Sequence, residues 1–518
     1  MKEVPMFYSP SISIQTLLPG LPLILSQKGP KDIEITGITH NSQEVKPHSL
    51  FVAIRGFTVD GHRYIPDALR RGATCIVLED PAWITSDTDV LFIQVPDSRE
   101  ALARLAATFY GNPSEKLTLI GITGTNGKTT LTYLLESILE KEGRATGVMG
   151  TINYRFRKNI IPAETTTPDA LSLQRILGEM LDEKIETVVM EVSSHALALH
   201  RIDGCHFDVA VWTNLSQDHL DFHSTMEEYF DTKKTLFTRH LASSKKEGKH
   251  AIINIDDPYG RRLAKEQTLS LTTYGTTPRA DVHPTKAEMS ASGISMEVHT
   301  PKGSVSITSS LVGRHNQSNL LAATATALAL GIPLETIRDG LQTVTVPGRL
   351  ETVENRLGIT VLVDYAHTPD ALKNVLTSLR PLTKGRLITL FGCGGDRDKK
   401  KRPKMGKIAE ELSDSLILTN DNPRSEPPQQ IIQEIESGIK TLPLLPEDAF
   451  RSGQRGYAVV PDRKEAIRLA IDSANPGDIV LIAGKGHESY QVIGSKRISF
   501  SDVLAAREVL AEKQGQEG

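Results

Sequence analysis

The residues Gly124-Thr125-Asn126-Gly127-Lys128-Thr129-Thr130 are the densest chemical signal in the chain. Glycines at such spacing let backbone N–H groups approach phosphate oxygens. Lys128 carries a cation that can reach β- and γ-phosphates, and the Thr129 hydroxyl is a hard-oxygen ligand for Mg2+. A cradle of this kind must sit between a strand and a helix, because the helix N-terminus supplies the field that holds the anion. The flanks meet that demand. The apolar run 117–122 precedes it, and Leu131, Leu134, Leu135, Ile138 and Leu139 follow at the spacing of one helix face. The match to the general pattern is incomplete: its first glycine would fall at Ile122, and the nearest is Gly121.

A phosphate cradle needs an acidic partner on a neighbouring strand. Thr187-Val188-Val189-Met190-Glu191 reads as a strand ending in a carboxylate, so Glu191 is a good candidate Mg2+ ligand; the alternative for it in isolation is a solvated strand end. The run 208–213 leads into Asn214-Leu215-Ser216-Gln217-Asp218-His219-Leu220-Asp221, where His219 is a candidate ligand or a hydrogen-bonded loop residue. Lys233 stands fourteen residues beyond His219. An ammonium has donors only and cannot ligate Mg2+, although its carbamate could. On spacing alone Lys233 and Lys234 read as a solvated basic face.

These groups are positioned by apolar strands alternating with amphipathic helices, the pattern of parallel α/β sheets. A chain of 518 residues exceeds one hydrophobic core, so about three domains are expected. Turn chemistry at Gly111-Asn112-Pro113-Ser114 and at Pro347-Gly348-Arg349 divides it into 1–115, 116–347 and 348–518. The polar tail from Glu512 is expected to fray. With 59 basic and 63 acidic residues the net charge is −4, so no bulk basic field points to nucleic acid. Cys75, Cys205 and Cys393 form no C-x-x-C pair, which suits a reducing compartment. Neither a signal peptide nor a membrane span is expected.

The order of motifs along nearly the whole chain resembles the Mur ligases of bacterial peptidoglycan synthesis. The resemblance rests on G-T-N-G-K-T-T at Gly124, E-V-S-S-H at Glu191 and T-N-L-S-x-D-H-L-D at Thr213. It continues through Gly313-Arg314-His315-Asn316-Gln317-Ser318-Asn319, P-G-R-L-E at Pro347 and D-Y-A-H-T-P at Asp364. It implies an N-terminal UDP-substrate domain, a central P-loop ATPase domain with a mostly parallel sheet, and a C-terminal Rossmann-like domain that takes the amino acid. ATP would be the co-substrate, with two Mg2+. Lys128, Glu191, His219 and Lys233 would be catalytic, with Lys233 as the carbamate and Lys234 the fallback. Asn316 and Asn319 would lie near the adenine, or cap a helix. Arg349 and Asp364-Tyr365-Ala366-His367 would close over the nucleotide.

In the third domain, Asp421-Asn422-Pro423-Arg424 resembles the signature of members that add meso-diaminopimelate, although four such residues also make a type I turn. The chemistry agrees: diaminopimelate has a distal carboxylate that an arginine fork can take with two hydrogen bonds, and lysine has none. Arg397 would be a second anchor, and Gly484 and Glu488 would meet the distal amine. For the UDP substrate the resemblance points to His40, Ser42 and Phe57-Thr58-Val59, although His40-Asn41 departs from the usual pattern before Ser42. Thr166, Thr167, Ser193 and Arg201 would hold the sugar-peptide; Thr165 to Thr167 could otherwise be a helix N-cap. The expected reaction is acyl-phosphate formation on UDP-N-acetylmuramoyl-L-alanyl-D-glutamate followed by attack of the diaminopimelate amine, in the cytoplasm, by a monomer. Competing readings are a lysine-adding ligase, a folylpolyglutamate synthetase, a P-loop NTPase switch and a UDP-sugar binding module.

Overall fold

The computed structural model describes residues 11–517 apart from 22, 87–88 and 219–221. Two compact units divide the chain. One runs to Val282 and takes in Ala322–Ile337; the other comprises His283–Leu321 and everything from Arg338 onward.

The first unit holds two large sheets besides a short antiparallel pairing of Ile12–Ser13 with Glu34–Ile35. The smaller has five strands in the order Ser26–Lys28, Leu91–Gln94, Ala73–Leu78, Ser49–Val52 and Gly37–Thr39, parallel except for the outer Ser26–Lys28. The larger has eight. A hairpin edge (Asn159–Pro162, Asn153–Phe156) leads into six parallel strands: Thr146–Met149, Thr187–Glu191, Thr118–Thr123, Val209–Trp212, His250–Asn254 and Ser270–Tyr274. The central strands are buried along their length, as both-face coverage of a parallel sheet requires. Thr123, Glu191 and Trp212 therefore end side by side at the carboxyl edge, where ligands bind in open α/β sheets.

The second unit carries a three-stranded antiparallel sheet, His283–Ser290, Gly293–Thr300 and Gly303–Ser309. Its main sheet has six strands in the order Glu351–Val353, Thr360–Asp364, Ile479–Ala483, Leu387–Phe391, Ser415–Leu418 and Tyr457–Val459, all parallel but the first. The strand of this sheet latest in sequence, Ile479–Ala483, inserts between two earlier ones, which opens a switch point at the carboxyl edge. The loops after Asp364, Phe391, Leu418 and Ala483 all leave from that edge. The α/β class holds.

The tail does not fray at Glu512. The helix Asp502–Glu517 continues because Glu512 pairs with Arg468 and the Lys513 ammonium donates to the carbonyls of Ile471, Asp472 and Ala474 at the end of helix Arg463–Ser473. A cation on the free carbonyls of a helix C-terminus is favourable. Among the described residues no helix is long and apolar enough to cross a membrane.

Candidate functional site

The cradle forms between strand Thr118–Thr123 and helix Lys128–Lys141. Gly124 and Gly127 have φ of 142° and 90°, which L side chains rarely adopt, and a Cβ on Gly124 would lie 1.9 Å from the Thr213 hydroxyl. Gly121 serves core packing instead, since a Cβ there would meet the Phe207 ring at 2.7 Å beneath the sheet. The T-N-L-S segment straps the loop from outside. Thr125 N–H donates to the Asn214 carbonyl (2.8 Å), Asn126 N–H to Asn214 Oδ1 (3.0 Å) and Thr213 Oγ1 to the Asn126 carbonyl (2.7 Å). Lys128 Nζ reaches the carbonyls of Gly124 and Thr125 at 2.8 and 2.9 Å. Thr129 and Thr130 are buried in the first helical turn.

Thr129 Oγ1 donates to Glu191 Oε2 at 3.1 Å. The same carboxylate accepts from Thr151 N–H (2.9 Å) and Thr151 Oγ1 (3.1 Å), and Thr151 Oγ1 lies 3.1 Å from Thr166 Oγ1. Glu191 is only 1% exposed, which excludes a solvated strand end. Thr167 Oγ1 donates to the Glu191 carbonyl (2.8 Å), Ser193 N–H donates to Thr167 Oγ1 (3.1 Å), and Arg201 Nη1 donates to the Thr167 carbonyl (2.9 Å). Thr166, Thr167, Ser193 and Arg201 are thus one connected group beside Glu191. The helix cap at this point is Asp169, whose carboxylate accepts from Leu171 and Ser172 N–H; the threonines do not cap.

Lys233 corrects the reading from spacing. It is 1% exposed on helix Met226–Thr235, its Nζ donates to the Gly124 carbonyl at 2.9 Å, and it lies 4.9 Å from the centre of the Tyr229 ring. Burial, with Lys128 nearby, lowers its pKa well below the ordinary lysine value despite Asp218. Lys234 instead reaches Glu266 at 2.8 Å on a partly exposed face. His219 lies outside the described residues.

In the five-stranded domain Ser42 is buried and its hydroxyl bonds the Asp67 carboxylate, which with Arg70 and Arg71 keeps that acid below its usual pKa. His40, Thr58 and Val59 are exposed, and Phe57 is 78% exposed with its ring edge-on to Phe222 at 6.3 Å and under Arg99 at 5.7 Å. A large apolar ring held in place but left open to solvent suits stacking of a planar ligand.

In the second unit, Asn316 and Asn319 are buried on helix Arg314–Ala329, where Asn316 Nδ2 donates to the Val312 carbonyl and Asn319 Nδ2 to Asn316 Oδ1. Arg349 stacks 4.8 Å above the Tyr365 ring. Asp364 accepts from Leu350 and Ala366 N–H, both at 2.8 Å, and burial raises its pKa against the pull of Arg349.

The loops after Phe391 and Leu418 interlock. Gly395 N–H donates to the Asn422 carbonyl (2.9 Å), Arg424 Nη1 donates to the Gly395 carbonyl (2.7 Å), and Ser425 Oγ donates to Asp396 Oδ1 (2.6 Å). Beneath them Glu426 accepts from Arg402 at 2.9 and 3.0 Å, which holds its pKa down to about 2. D-N-P-R does not close the hydrogen bond of a type I turn: the Arg424 N–H donates to the Val492 carbonyl instead, and Arg424 itself has φ 54°. A non-glycine residue in that region costs about 1–3 kcal/mol and persists only where its surroundings impose it. Here the hairpin Tyr490–Ile493 and Lys496–Ser499 does so, since Gly494 N–H also donates to the Arg424 carbonyl at 2.8 Å. The Cβ position of Gly394 is 2.9 Å from Arg424 Nη1 and 3.7 Å from Arg397 Cγ, so both arginines border one glycine floor. Pro423 and Asn422 are buried; Asn422 Nδ2 donates to Glu488 Oε2 at 2.9 Å, and Gly484, at φ 115°, passes close to Asp421.

Three family models match in order along the chain: Mur ligase family, catalytic domain, at residues 34–110; Mur ligase middle domain at 122–327; and Mur ligase, glutamate ligase domain, at 348–486. The chain belongs to the Mur ligase family. A UDP-N-acetylmuramoyl-L-alanyl-D-glutamate--2,6-diaminopimelate ligase of Geobacter metallireducens is 48% identical over 493 residues, covering 93% of this Mur ligase and 96% of the relative. The ligase of the same name from Geobacillus thermodenitrificans is 44% identical, covering 97% of this Mur ligase and all of the relative. A solved structure described by that name superposes with a TM-score of 0.71 at 30% identity, covering 98% of this Mur ligase and all of that chain. The MurF ligase of Thermotoga maritima shares the fold, with a TM-score of 0.60 at 21% identity and coverage of 93% and 98%.

Sequence reasoning passed over two residues of this Mur ligase. Thr151 completes the Glu191 cluster from the loop after strand Thr146–Met149, where no motif marks it. Lys485 is enclosed inside the G-K-G-H-E segment; its position between glycines at the end of an apolar strand was the available signal.

Proposed function

We propose that this Mur ligase adds meso-diaminopimelate to UDP-N-acetylmuramoyl-L-alanyl-D-glutamate in the cytoplasm, at the expense of ATP. The observation that carries the choice of amino acid is the clamped Arg424, strained at φ 54° and held by Gly395, Val492 and Gly494. An enzyme selecting lysine would have no distal carboxylate for such a fork. The names of the similar ligases support the same choice.

ATP would lie in the cradle 124–130, with its phosphates on the loop N–H groups and Lys128. By the family resemblance, Asn316, Asn319, Arg349 and Asp364 would be further nucleotide-binding residues. Oxygens of Thr129 and Glu191 approach to 3.1 Å at a helix N-terminus, a hard-donor set that fits Mg2+. That ion supplies charge neutralisation at the phosphates. A second Mg2+ would be held by His219 and by Lys233 as its carbamate. Burial lowers the Lys233 pKa, which favours the neutral amine that CO2 addition requires.

The UDP moiety would use His40, Ser42 and Phe57 to Val59, and the sugar-peptide Thr166, Thr167, Ser193 and Arg201. The D-glutamate γ-carboxylate attacks the γ-phosphorus and ADP leaves. Lys128 stabilises the charge that builds on the phosphoryl oxygens. The diaminopimelate amine then attacks the acyl carbon, a proton is lost, and the tetrahedral intermediate expels phosphate to leave the amide. Arg424 and Arg397 take the distal carboxylate, Glu488 the distal amine, and Asp421, Asn422, Pro423 and Gly484 shape the pocket. Water must be excluded while the acyl phosphate exists.

The test is phosphate release with ATP, Mg2+ and the UDP-dipeptide, adding meso-diaminopimelate, L-lysine or neither, with product masses recorded. Turnover and a tripeptide mass with diaminopimelate alone are expected. Turnover with lysine overturns the amino-acid assignment, and phosphate release with no amide overturns the ligase.

A further inference from the structure

Lys485 is fully enclosed, with a side chain 0% exposed. Its ammonium donates to Glu488 Oε2 at 2.9 Å and Asn422 Oδ1 at 3.1 Å, and lies 3.4 Å from Asp421 Oδ1. Burying an ammonium is costly unless carboxylates and hydrogen bonds compensate it, and these three groups do so. The arrangement is asymmetric. Glu488 remains 18% exposed and Asp421 9%, so a ligand can touch the carboxylates but not the ammonium behind them.

Among the described residues, the side-chain donors to Glu488, Lys485 Nζ and Asn422 Nδ2, meet the same oxygen, Oε2. Two donors on one oxygen fix the plane of the carboxylate and turn Oε1 away from them. Lys485 also neutralises one of two neighbouring carboxylates. Without it the carboxylates of Asp421 and Glu488 would face each other with no cation between them and would repel. The nearby Arg463 cannot substitute, since Asp502 already pairs with it.

We propose that Lys485 is a positioning residue for the amino-acid substrate: from behind, it orients the Glu488 carboxylate and holds it apart from Asp421 so that it can receive the distal ammonium of the incoming diamino acid. This deepens the proposed function and rests on it. Lys485 acts through Glu488 and never meets the substrate.

The experiment uses the full chain and compares two acceptors, meso-diaminopimelate and L-2-aminopimelate, which keeps the reacting amine and the distal carboxylate but lacks the distal amine. Lys485→Met is expected to raise KM for meso-diaminopimelate about 10- to 100-fold, the loss typical of a charge-assisted hydrogen bond. KM for ATP, and KM for L-2-aminopimelate, should stay within about two-fold of wild type. Added to Glu488→Gln, the same change should cost nothing more. Lys485→Gln, which keeps a donor without the charge, serves as the second variant if the methionine protein does not fold, and should show an intermediate loss on the same readouts. Equal losses with both acceptors, or no loss with either, would overturn the positioning role. If Glu488→Gln alone leaves KM for meso-diaminopimelate unchanged, it is the amine-site reading beneath the proposal that fails.

Discussion

Arg463 and Asp502 form a fully enclosed two-point ion pair: Nε to Oδ1 at 2.7 Å and Nη2 to Oδ2 at 2.8 Å, both side chains 0% exposed. The pair fastens the last helix to the six-stranded sheet. Arg463 also donates to the carbonyls of Ala483 and Asn420, where the chain leaves for the G-K-G-H-E and D-N-P-R loops. Asp502→Asn would leave a buried guanidinium without its counter-charge. Denaturant unfolding should show a loss of about 3–5 kcal/mol. A loss below about 1 kcal/mol would mean that water reaches the arginine.

Lys233 is a buried amine with a depressed pKa, and we expect it to carry CO2. Carbon-13-labelled bicarbonate should give a carbamate resonance in wild type that disappears in Lys233→Ala and persists in Lys234→Ala. Ligase activity should fall by at least about 100-fold in Lys233→Ala, as for loss of a transition-state charge stabiliser. A carbamate signal that survives Lys233→Ala would assign the modification elsewhere.

Arg424→Lys keeps the charge and removes the planar fork. KM for meso-diaminopimelate should rise about 10- to 100-fold while KM for ATP holds, because a point charge cannot replace two parallel hydrogen bonds. An unchanged KM for the amino acid would remove Arg424 from the specificity pocket.

His240 sets a pH dependence. It is 5% exposed, and burial holds its pKa down to about 4; it faces Asp203, Arg239, His200 and Arg104. The unfolded chain binds its proton near pH 6.5. Between about 6.5 and 4 the unfolded state therefore holds more protons, and stability falls as the pH is lowered. His200 acts in the other direction. Its bond to Asp203 raises its pKa, so its contribution is complete below about 6.5 and is lost only as pH rises through the folded value. His240→Gln should make the acid slope of unfolding free energy shallower by up to about 1.4 kcal/mol per pH unit. An identical slope in the variant would show that His240 titrates normally.

The cradle was legible because everything it needs is contiguous: strand, glycines, lysine, threonine and helix in one stretch. The D-N-P-R segment was legible as a motif, but its conformation was not. The clamp on Arg424 comes from Gly395 and from Val492 and Gly494, at the far end of the third domain. Lys233 was misread from spacing because the helix Met226–Thr235 is polar enough to pass for a surface helix. The Gly124 carbonyl, more than a hundred residues earlier, receives its ammonium.

The sequence by itself determined the α/β alternation, the phosphate loop and the family, because hydrophobic period, glycine conformation and helix capping act between residues close in the chain. Only the tertiary structure decided which charges are buried and what each one faces. Glu191 meets Thr151, Lys485 meets Glu488 and Asp421, and Arg463 meets Asp502. Burial and counter-charge arise where strands distant in the chain end side by side, and local patterning carries no record of that proximity.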